Sequence, residues 1–414
     1  MNLTDAIVGI DVGTTKICTV VARVEPGSDL SILGVGRVPS RGLHKGTIID
    51  LERTISSIRE SKIQAEQAAS TTIDSAFVSV TGAHVQAILS NAVIAIADPH
   101  KGITYEDTER VLDIAQHVEI PRGRRLIDVH VRDYIVDGQV GISDPVGMSG
   151  MRLEANVLLI TTAVPQLEDI YRAVNHAGID VENIILQPIA SAEAALGPDE
   201  REAGVALIDI GGGTTDLAVY CDGGLAHIAI FPVGGDHFDS DLAYGIGISP
   251  RQAEHLKIKL GGVGKDYAAS QDIIEISKAG GERRETIPLK IIAEIIYPRL
   301  EEILSLTYRD LDESGFIQDV RSGVVLTGGT SLLPGMTEMA SGIFGVHARI
   351  GYPRDVSGLP EDLRNPMYST AIGLVKVGAQ EYESKSRETV QAGVYDSLAR
   401  VQGWGKSVLR SIFR

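Results

Sequence analysis

The sequence predicts an α/β fold: two duplicated lobes around a nucleotide cleft, with an inserted α+β subdomain and a C-terminal amphipathic helix. Three observations carry that expectation. Ile10-Asp11-Val12-Gly13-Thr14-Thr15-Lys16 is repeated in outline by Ile208-Asp209-Ile210-Gly211-Gly212-Gly213-Thr214-Thr215-Asp216. Each reads as an apolar strand, an aspartate, a Gly/Thr turn and a second apolar strand. A further turn, Gly328-Gly329-Thr330, follows the apolar run Val324-Val325-Leu326. The stretch 84–163 has a different texture, rich in Asp-Gly, Asp-Pro and Gly-Met-Ser-Gly turns, and reads as an insertion.

The elements follow in chain order. Ala6 to Val24 is a hairpin of buried strands. Asp50 to Ala69 is a helix, with Leu51, Ile55, Ile58 and Ala65 at helical spacing. Ser75 to Thr81 is a short strand ending at Gly82. In the insertion, Ile103 to His117 is a helix with Thr104 as N-cap and Asp107 three residues on; Leu126 to Val136 and Val157 to Ala163 are strands. Val164 to Gly178 is a helix with Pro165 in its first turn. Ile184 to Leu196 reads as strand, Pro188, helix. Gly204 to Tyr220 is the second hairpin. Ser249 caps a helix from Pro250 to Leu260. Between Gly261 and Glu285 lie loop and strand. Thr286 is expected to cap a long helix with Pro288 just inside it and a kink at Pro298. A helix from about Pro334 and a small-residue helix from Tyr368 to Gln380 complete the core. Glu381 to Arg400 is polar and poor in periodicity, which predicts a linker.

Composition bounds the function. A chain of 414 residues is too long for one hydrophobic core. Its 43% hydrophobic and 22% charged residues are ordinary for a globular protein. A net charge of -17 opposes non-specific nucleic-acid binding. Cys18 and Cys221 form no CxxC pair, which predicts a reducing compartment. The N-terminus lacks the pattern of a secretory signal, and no apolar run approaches the roughly 18 residues that span a bilayer. A cytoplasmic protein is expected.

A triphosphate concentrates negative charge, and backbone N–H groups can approach it closely where the chain is glycine. Gly13, Gly211, Gly212 and Gly213 suit that role. Thr14, Thr15, Thr214 and Thr215 add hydroxyls, and Lys16 adds a positive charge. Asp11 and Asp209 end apolar strands, where an unpaired carboxylate is costly. A hydrated Mg2+ would explain both. Either hairpin alone would read as an ordinary Asp-x-Gly turn; two of them with a third Gly-Gly turn would not. No GxxxxGK[ST] loop is present.

These motifs resemble the phosphate-one, phosphate-two and adenosine motifs of the actin superfamily, which includes actins, heat-shock chaperone ATPases and sugar kinases. The resemblance implies ATP in a cleft between two lobes, with Gly328, Gly329 and Thr330 at the adenosine. It implies nucleotide contact by Gly234 and Gly235, and by Glu254 and Lys257 around the adenosine. It places Gln187 where a residue orients the attacking water. A solvated i,i+3 ion pair is the bland alternative for Glu254 and Lys257, and a helix-start amide for Gln187.

The last twelve residues form a separate object. On a helix, Trp404, Val408, Leu409, Ile412 and Phe413 share one face, and Lys406, Arg410 and Arg414 the other with Ser407 and Ser411. Aromatic residues opposite a basic face are the pattern of an interfacial membrane helix, here facing anionic lipid. A helix docked on the protein's own core is the alternative, but docking needs no basic stripe.

Across most of its length the chain resembles the FtsA family of bacterial actin-like cell-division proteins. The residues 136–150 of the insertion, Asn365-Pro366-Met367-Tyr368-Ser369-Thr370-Ala371 and the tail carry that resemblance; Arg132-Asp133 departs from it. It implies lobe cores at 1–83, 164–195 and 362–382, and at 196–235 and 303–361. It implies an inserted subdomain at 84–163, a small subdomain at 236–302, a linker at 383–402 and a membrane helix at 403–414. It further implies self-assembly into filaments on the cytoplasmic face of the inner membrane at the division site. The partner would be the C-terminal peptide of the tubulin-like FtsZ, docked near Arg299 and Glu302; other division proteins are possible partners. ATP is expected to clamp the lobes, with at most slow hydrolysis. A small-molecule kinase and a pilus-assembly scaffold of the same superfamily are the competing readings.

Overall fold

The computed structural model describes residues 6–24, 30–277 and 284–392. The linker beyond 392 and the whole 403–414 tail lie outside them.

The duplication is visible as sheet topology. In the first sheet, Ala6–Val12, Lys16–Val24 and Leu30–Pro39 form an antiparallel meander. Ser75–Val80 and then Asp180–Leu186 continue it in parallel on the far side of Ala6–Val12. The second sheet repeats the plan. Val205–Ile210, Thr215–Cys221 and Gly224–Phe231 form the meander. Val324–Thr327 and Ala348–Ile350 follow in parallel. In both, the first meander strand is central and buried on both faces, which is why it reads as an unbroken apolar run rather than an alternation. The third meander strands, Leu30–Pro39 and Gly224–Phe231, carry glycines or alternate in burial and were not anticipated.

The insertion is a third unit. Val85–Ala95, Arg152–Ala163, Arg124–Val136 and Gln139–Ile142 make an antiparallel sheet. The Tyr105–Gln116 helix packs on it, with Ile103, Val111, Ala115 and Leu153 in the shared core. Thr104 caps that helix with the expected capping box: its hydroxyl accepts from the Asp107 N–H, and the Thr104 N–H donates to the Asp107 carboxylate.

Two sequence expectations need correction. Thr286 and Pro288 do not start a helix; they lie in the strand Arg284–Pro288, paired with Ile273–Ser277. The helix is Lys290–Glu313 and runs through Pro298. Proline is tolerated at a strand end as well as at a helix start, so the signal was ambiguous. The helix opened at Ser369 also runs on to Ala392, into the segment expected as linker. Glu, Gln, Lys and Arg favour helix without any apolar stripe.

The Gln187–Ala195 helix, which also packs on the second sheet, crosses the Ser369–Ala392 helix of the first lobe. The contact is so close that a Cβ on Gly373 would lie 1.7 Å from the Ala190 carbonyl oxygen. This crossing fixes Gln187, Ser191 and Thr370 at the floor of the cleft.

Candidate nucleotide cleft between the lobes

The two hairpins close in the same way. The Gly13 N–H donates to the Lys16 carbonyl at 3.1 Å, and the Gly211 N–H donates to the Thr214 carbonyl at 2.9 Å. Those two glycines therefore spend their donors on the turns. The N–H groups of Thr14, Thr15, Gly212 and Gly213, at the tips, have no partner among the described residues. The tips also touch. A Cβ on Gly212 would lie 2.2 Å from Thr15 Cγ2, and one on Gly213 would lie 2.5 Å from Thr14 Oγ1. Glycine at 212 and 213 is thus required by the approach of the opposite lobe.

Behind the tips lies a cavity of about 380 Å³. The hairpins contribute Asp11, Gly13, Thr14, Thr15, Lys16, Asp209, Gly211, Gly212, Gly213 and Thr214. The Pro250–Leu260 helix contributes Glu254, Lys257 and Ile258, and the turn after Val324–Thr327 contributes Gly328, Gly329, Thr330, Leu332 and Leu333. Gln187, Gly235, Met367 and Thr370 also line it. The structure thus brings together all but two of the expected nucleotide residues. Thr215 is fully buried and its hydroxyl donates to the Val233 carbonyl, so it holds the sheet and does not face the cavity. Gly234 does not line it either. Gly234 precedes the Gly235–Ile246 helix, and a Cβ there would lie 2.7 Å from the Gly211 carbonyl oxygen. It lets the helix start sit on the second hairpin, where the Gly235 and Asp236 N–H groups donate to the Gly211 and Gly212 carbonyls.

The buried carboxylates are held by neutral donors and one lysine. Asp11 is 3% exposed. It accepts from Lys16 Nζ at 2.7 Å, Ser79 Oγ at 3.1 Å and Gln187 Nε2 at 3.1 Å. Burial works against the Lys16 charge, but Asp11 together with other negative charge around it leaves its pKa raised. Asp209 accepts from Ser191 Oγ at 2.5 Å and Thr370 Oγ1 at 3.4 Å. Burial pushes it up to about 6; the Ser191 bond opposes this, and the Asp11 charge adds to it. Gly328 packs against this carboxylate: its φ is +82°, and a Cβ would lie 2.3 Å from Asp209 Oδ1. Asp216, cross-strand from Asp209, is held well above the usual carboxylate range by burial and then by the Asp209 charge. Its Oδ1 has no hydrogen-bond partner.

Lys257 does not pair with Glu254 as the solvated alternative supposed. Its Nζ lies 2.7 Å from Asp239 Oδ2 and donates to the Gly235 carbonyl at 2.9 Å. Arg299, on the Lys290–Glu313 helix, forks onto Asp241 at 2.8 and 3.1 Å and also meets Glu302. Ser79, Ser191, Asp216, Asp239 and Thr370 were missed by the sequence reading. Only Asp216 carried a local signal, because it occupies an apolar strand.

Comparisons with known proteins agree on the family. A family profile described as "Cell division protein FtsA" matches residues 206–373, and one described as "SHS2 domain inserted in FTSA" matches 82–161. The chain is 38% identical over 405 residues to the cell division protein FtsA of Pseudomonas aeruginosa, covering 96% of this chain and 97% of that one. It is 34% identical over 408 residues to the FtsA of Escherichia coli (strain K12), covering 96% and 97%. Among solved structures, a PilM-PilN type IV pilus biogenesis complex superposes with a TM-score of 0.65 at 17% identity, covering 90% of this chain and 98% of that chain. MreB5 of Spiroplasma citri bound to ADP gives 0.55 at 16% identity, covering 94% and 99%. Those two show the fold, which is that of the actin-like ATPases. On sequence likeness over nearly its whole length, the chain belongs to the FtsA family of cell-division proteins.

Proposed function

We propose that the cleft binds ATP, and that ATP closes the lobes into the form that assembles on the cytoplasmic face of the inner membrane and tethers FtsZ filaments at the division site. The observation that carries this reading is the pair of hairpin tips. Their unpartnered N–H groups border the same cavity from opposite lobes, so one polyphosphate would bridge both. Binding that is tighter to the closed form shifts the population toward it.

A divalent cation fits the site. Buried Asp11 and Asp209 border the cavity, and Asp216 beside them has an unpartnered oxygen. Among the described residues no group of three His, Cys, Asp or Glu side chains converges to hold a metal directly. Mg2+ would therefore be held by Asp11 and Asp209 through water, and would neutralise phosphate charge. Gln187 Nε2 is occupied by Asp11, which leaves its carbonyl oxygen to orient water if hydrolysis occurs.

Membrane attachment rests on the sequence of 403–414, and no helix among the described residues is long and apolar enough to cross a membrane. FtsZ docking rests on the family resemblance at Arg299 and Glu302. Because Arg299 already serves Asp241, an acidic peptide would have to share it.

Liposome flotation tests the reading. With anionic lipid, ATP and FtsZ, the full chain should float and carry FtsZ, and a chain ending at Gln402 should do neither. Flotation without dependence on the tail, or equal assembly with and without nucleotide, would count against it.

A further inference from the structure

The sheet of the insertion ends on Val85–Ala95, a strand of 11 residues that pairs with Arg152–Ala163 on one side only. One end of the ladder fixes which backbone groups face that partner. Arg152, opposite Ala95, turns its own groups the other way. Its N–H donates to Asp137 Oδ1 at 2.8 Å, and its carbonyl accepts from the Asp137 N–H at 3.0 Å. Ala95 likewise faces outward, and its carbonyl accepts from Arg110 Nη2 at 2.8 Å. The register between the two strands has no bulge. Alternation therefore turns the N–H and C=O of Val93, Asn91 and Leu89 to the open edge as well. Those groups make no hydrogen bond among the described residues.

An open edge is a template for another strand, and folded proteins blunt it with charge, proline, a bulge, shortness or cover. The edges of the two lobe sheets, and the far edge of this one, are blunted. Asp180–Leu186 carries Asp180 and Glu182. Val356–Ser357, Ala348–Ile350 and Gln139–Ile142 are no longer than four residues. Gly224–Phe231 lies against the insertion. Val85–Ala95 has no such device: it is long, and it holds no charged residue, no proline and no bulge. Leu89 at 63% exposure and Val93 at 42% flank the exposed Asn91.

The strand also matches itself in reverse. A two-fold axis at Asn91 sets Asn91 opposite Asn91 of the second copy, and Leu89 opposite Val93. All three residues present outward backbone groups, so each pair can exchange both N–H···O bonds. The apolar side chains then cover one another, and no like charges meet. Such a self-complementary contact closes as a dimer.

We propose that Val85–Ala95 is a docking edge for a second copy of this chain, paired antiparallel about Asn91 so that one sheet runs through both insertions. The contact uses the insertion alone and needs no nucleotide in the cleft.

The test is disulfide trapping of the full chain under mild oxidation, read on a non-reducing gel, with wild type as the control for Cys18 and Cys221. Trapping accumulates even a weak dimer. Asn91 is exposed, so Asn91→Cys should fold, which a thermal melt checks. Opposed residues in this ladder lie about 5.5 Å apart at Cα, within disulfide reach, so Asn91→Cys should give a covalent dimer. Leu89→Cys alone should not, because its two copies would lie roughly 13 Å apart along the strands; mixed with Val93→Cys it should. Adding Leu89→Lys with Val93→Lys to Asn91→Cys sets lysines opposite one another and should abolish the dimer. Mixing that chain with one carrying Glu at both positions should restore it. No dimer above wild type with Asn91→Cys would overturn the proposal. So would equal trapping by Leu89→Cys alone, which would mean indiscriminate collision, or failure of the charge-swapped mixture.

Discussion

Thr81 donates its hydroxyl to the Asp216 carboxylate at 2.8 Å, joining positions 135 residues apart and in different lobes. Both side chains are buried, Thr81 at 4% and Asp216 at 1% exposure. Removing one donor from a buried acceptor costs about 1–3 kcal/mol. Thr81→Val should lower stability by that amount and widen the cleft, seen as a lower melting temperature and a larger radius of gyration in solution scattering. An unchanged melt would mean that the contact is not made in solution.

The meeting of the hairpin tips yields a second prediction. Gly213→Ala sets a methyl 2.5 Å from Thr14 Oγ1 and 2.9 Å from Lys45 Cα. One contact is the end of a side chain that can rotate; the other is backbone that cannot. The tips should separate, and nucleotide affinity should fall at least about tenfold with little loss of lobe stability, since neither core is touched. Wild-type affinity in this variant would show that the tips part freely.

At the crossing of Gln187–Ala195 and Ser369–Ala392, Gly373→Ala places a methyl 1.7 Å from the Ala190 carbonyl oxygen. The helices must move apart, and overpacking of this kind costs about 1–3 kcal/mol or more. Denaturant melts should show the loss directly. Ser191 and Thr370 should also withdraw from Asp209, so nucleotide binding should weaken as well. Loss of stability without loss of binding would separate the crossing from the site.

Acid titration offers a fourth. Burial raises Asp239 from its ordinary 3.8 to about 6, against the pull of Lys257, with Glu254 and Asp236 adding to the rise. The folded carboxyl then holds its proton to a higher pH than the unfolded one does. The folded state binds more protons between about pH 4 and 6, and stability falls as pH rises through that window. Asp239→Asn should remove that fall, read as a flatter dependence of urea midpoints on pH. Identical slopes for the two proteins would refute the assignment.

The hairpins were legible in the sequence because their signal is local: an aspartate at the end of an apolar run, then glycine and threonine. The capping of the insertion's helix by Thr104 was legible for the same reason. Ser79, Ser191 and Thr370 were not, because what matters about them is that Asp11 or Asp209 lies beside them after folding. The role of glycine was only half legible. Positions 212 and 213 had to be small, but the sequence could not say that Thr15 and Thr14 of the other lobe were the neighbours. Thr286 and Pro288 misled because serine, threonine and proline punctuate strands and helices alike, and the apolar spacing that separates them begins only at Ile291. Thr215 misled because a hydroxyl in a phosphate-type turn is informative only if it points out of the sheet.

The route of the chain has a consequence for synthesis. The second sheet, from Val205 to Ile350, is one unbroken stretch of sequence, whereas the first needs Val356–Ser357 at its edge and the Ser369–Ala392 helix on its face. Gly9 rests against Leu374, and Gly378 against Ile7 and Phe77. The strands of the first sheet therefore wait for a helix that follows the whole second sheet in the chain. Chains generally fold from the N-terminus as they leave the ribosome. Here the later lobe can be finished while the earlier one still exposes its apolar strands, so the nascent chain is most vulnerable to aggregation until about residue 380 has emerged.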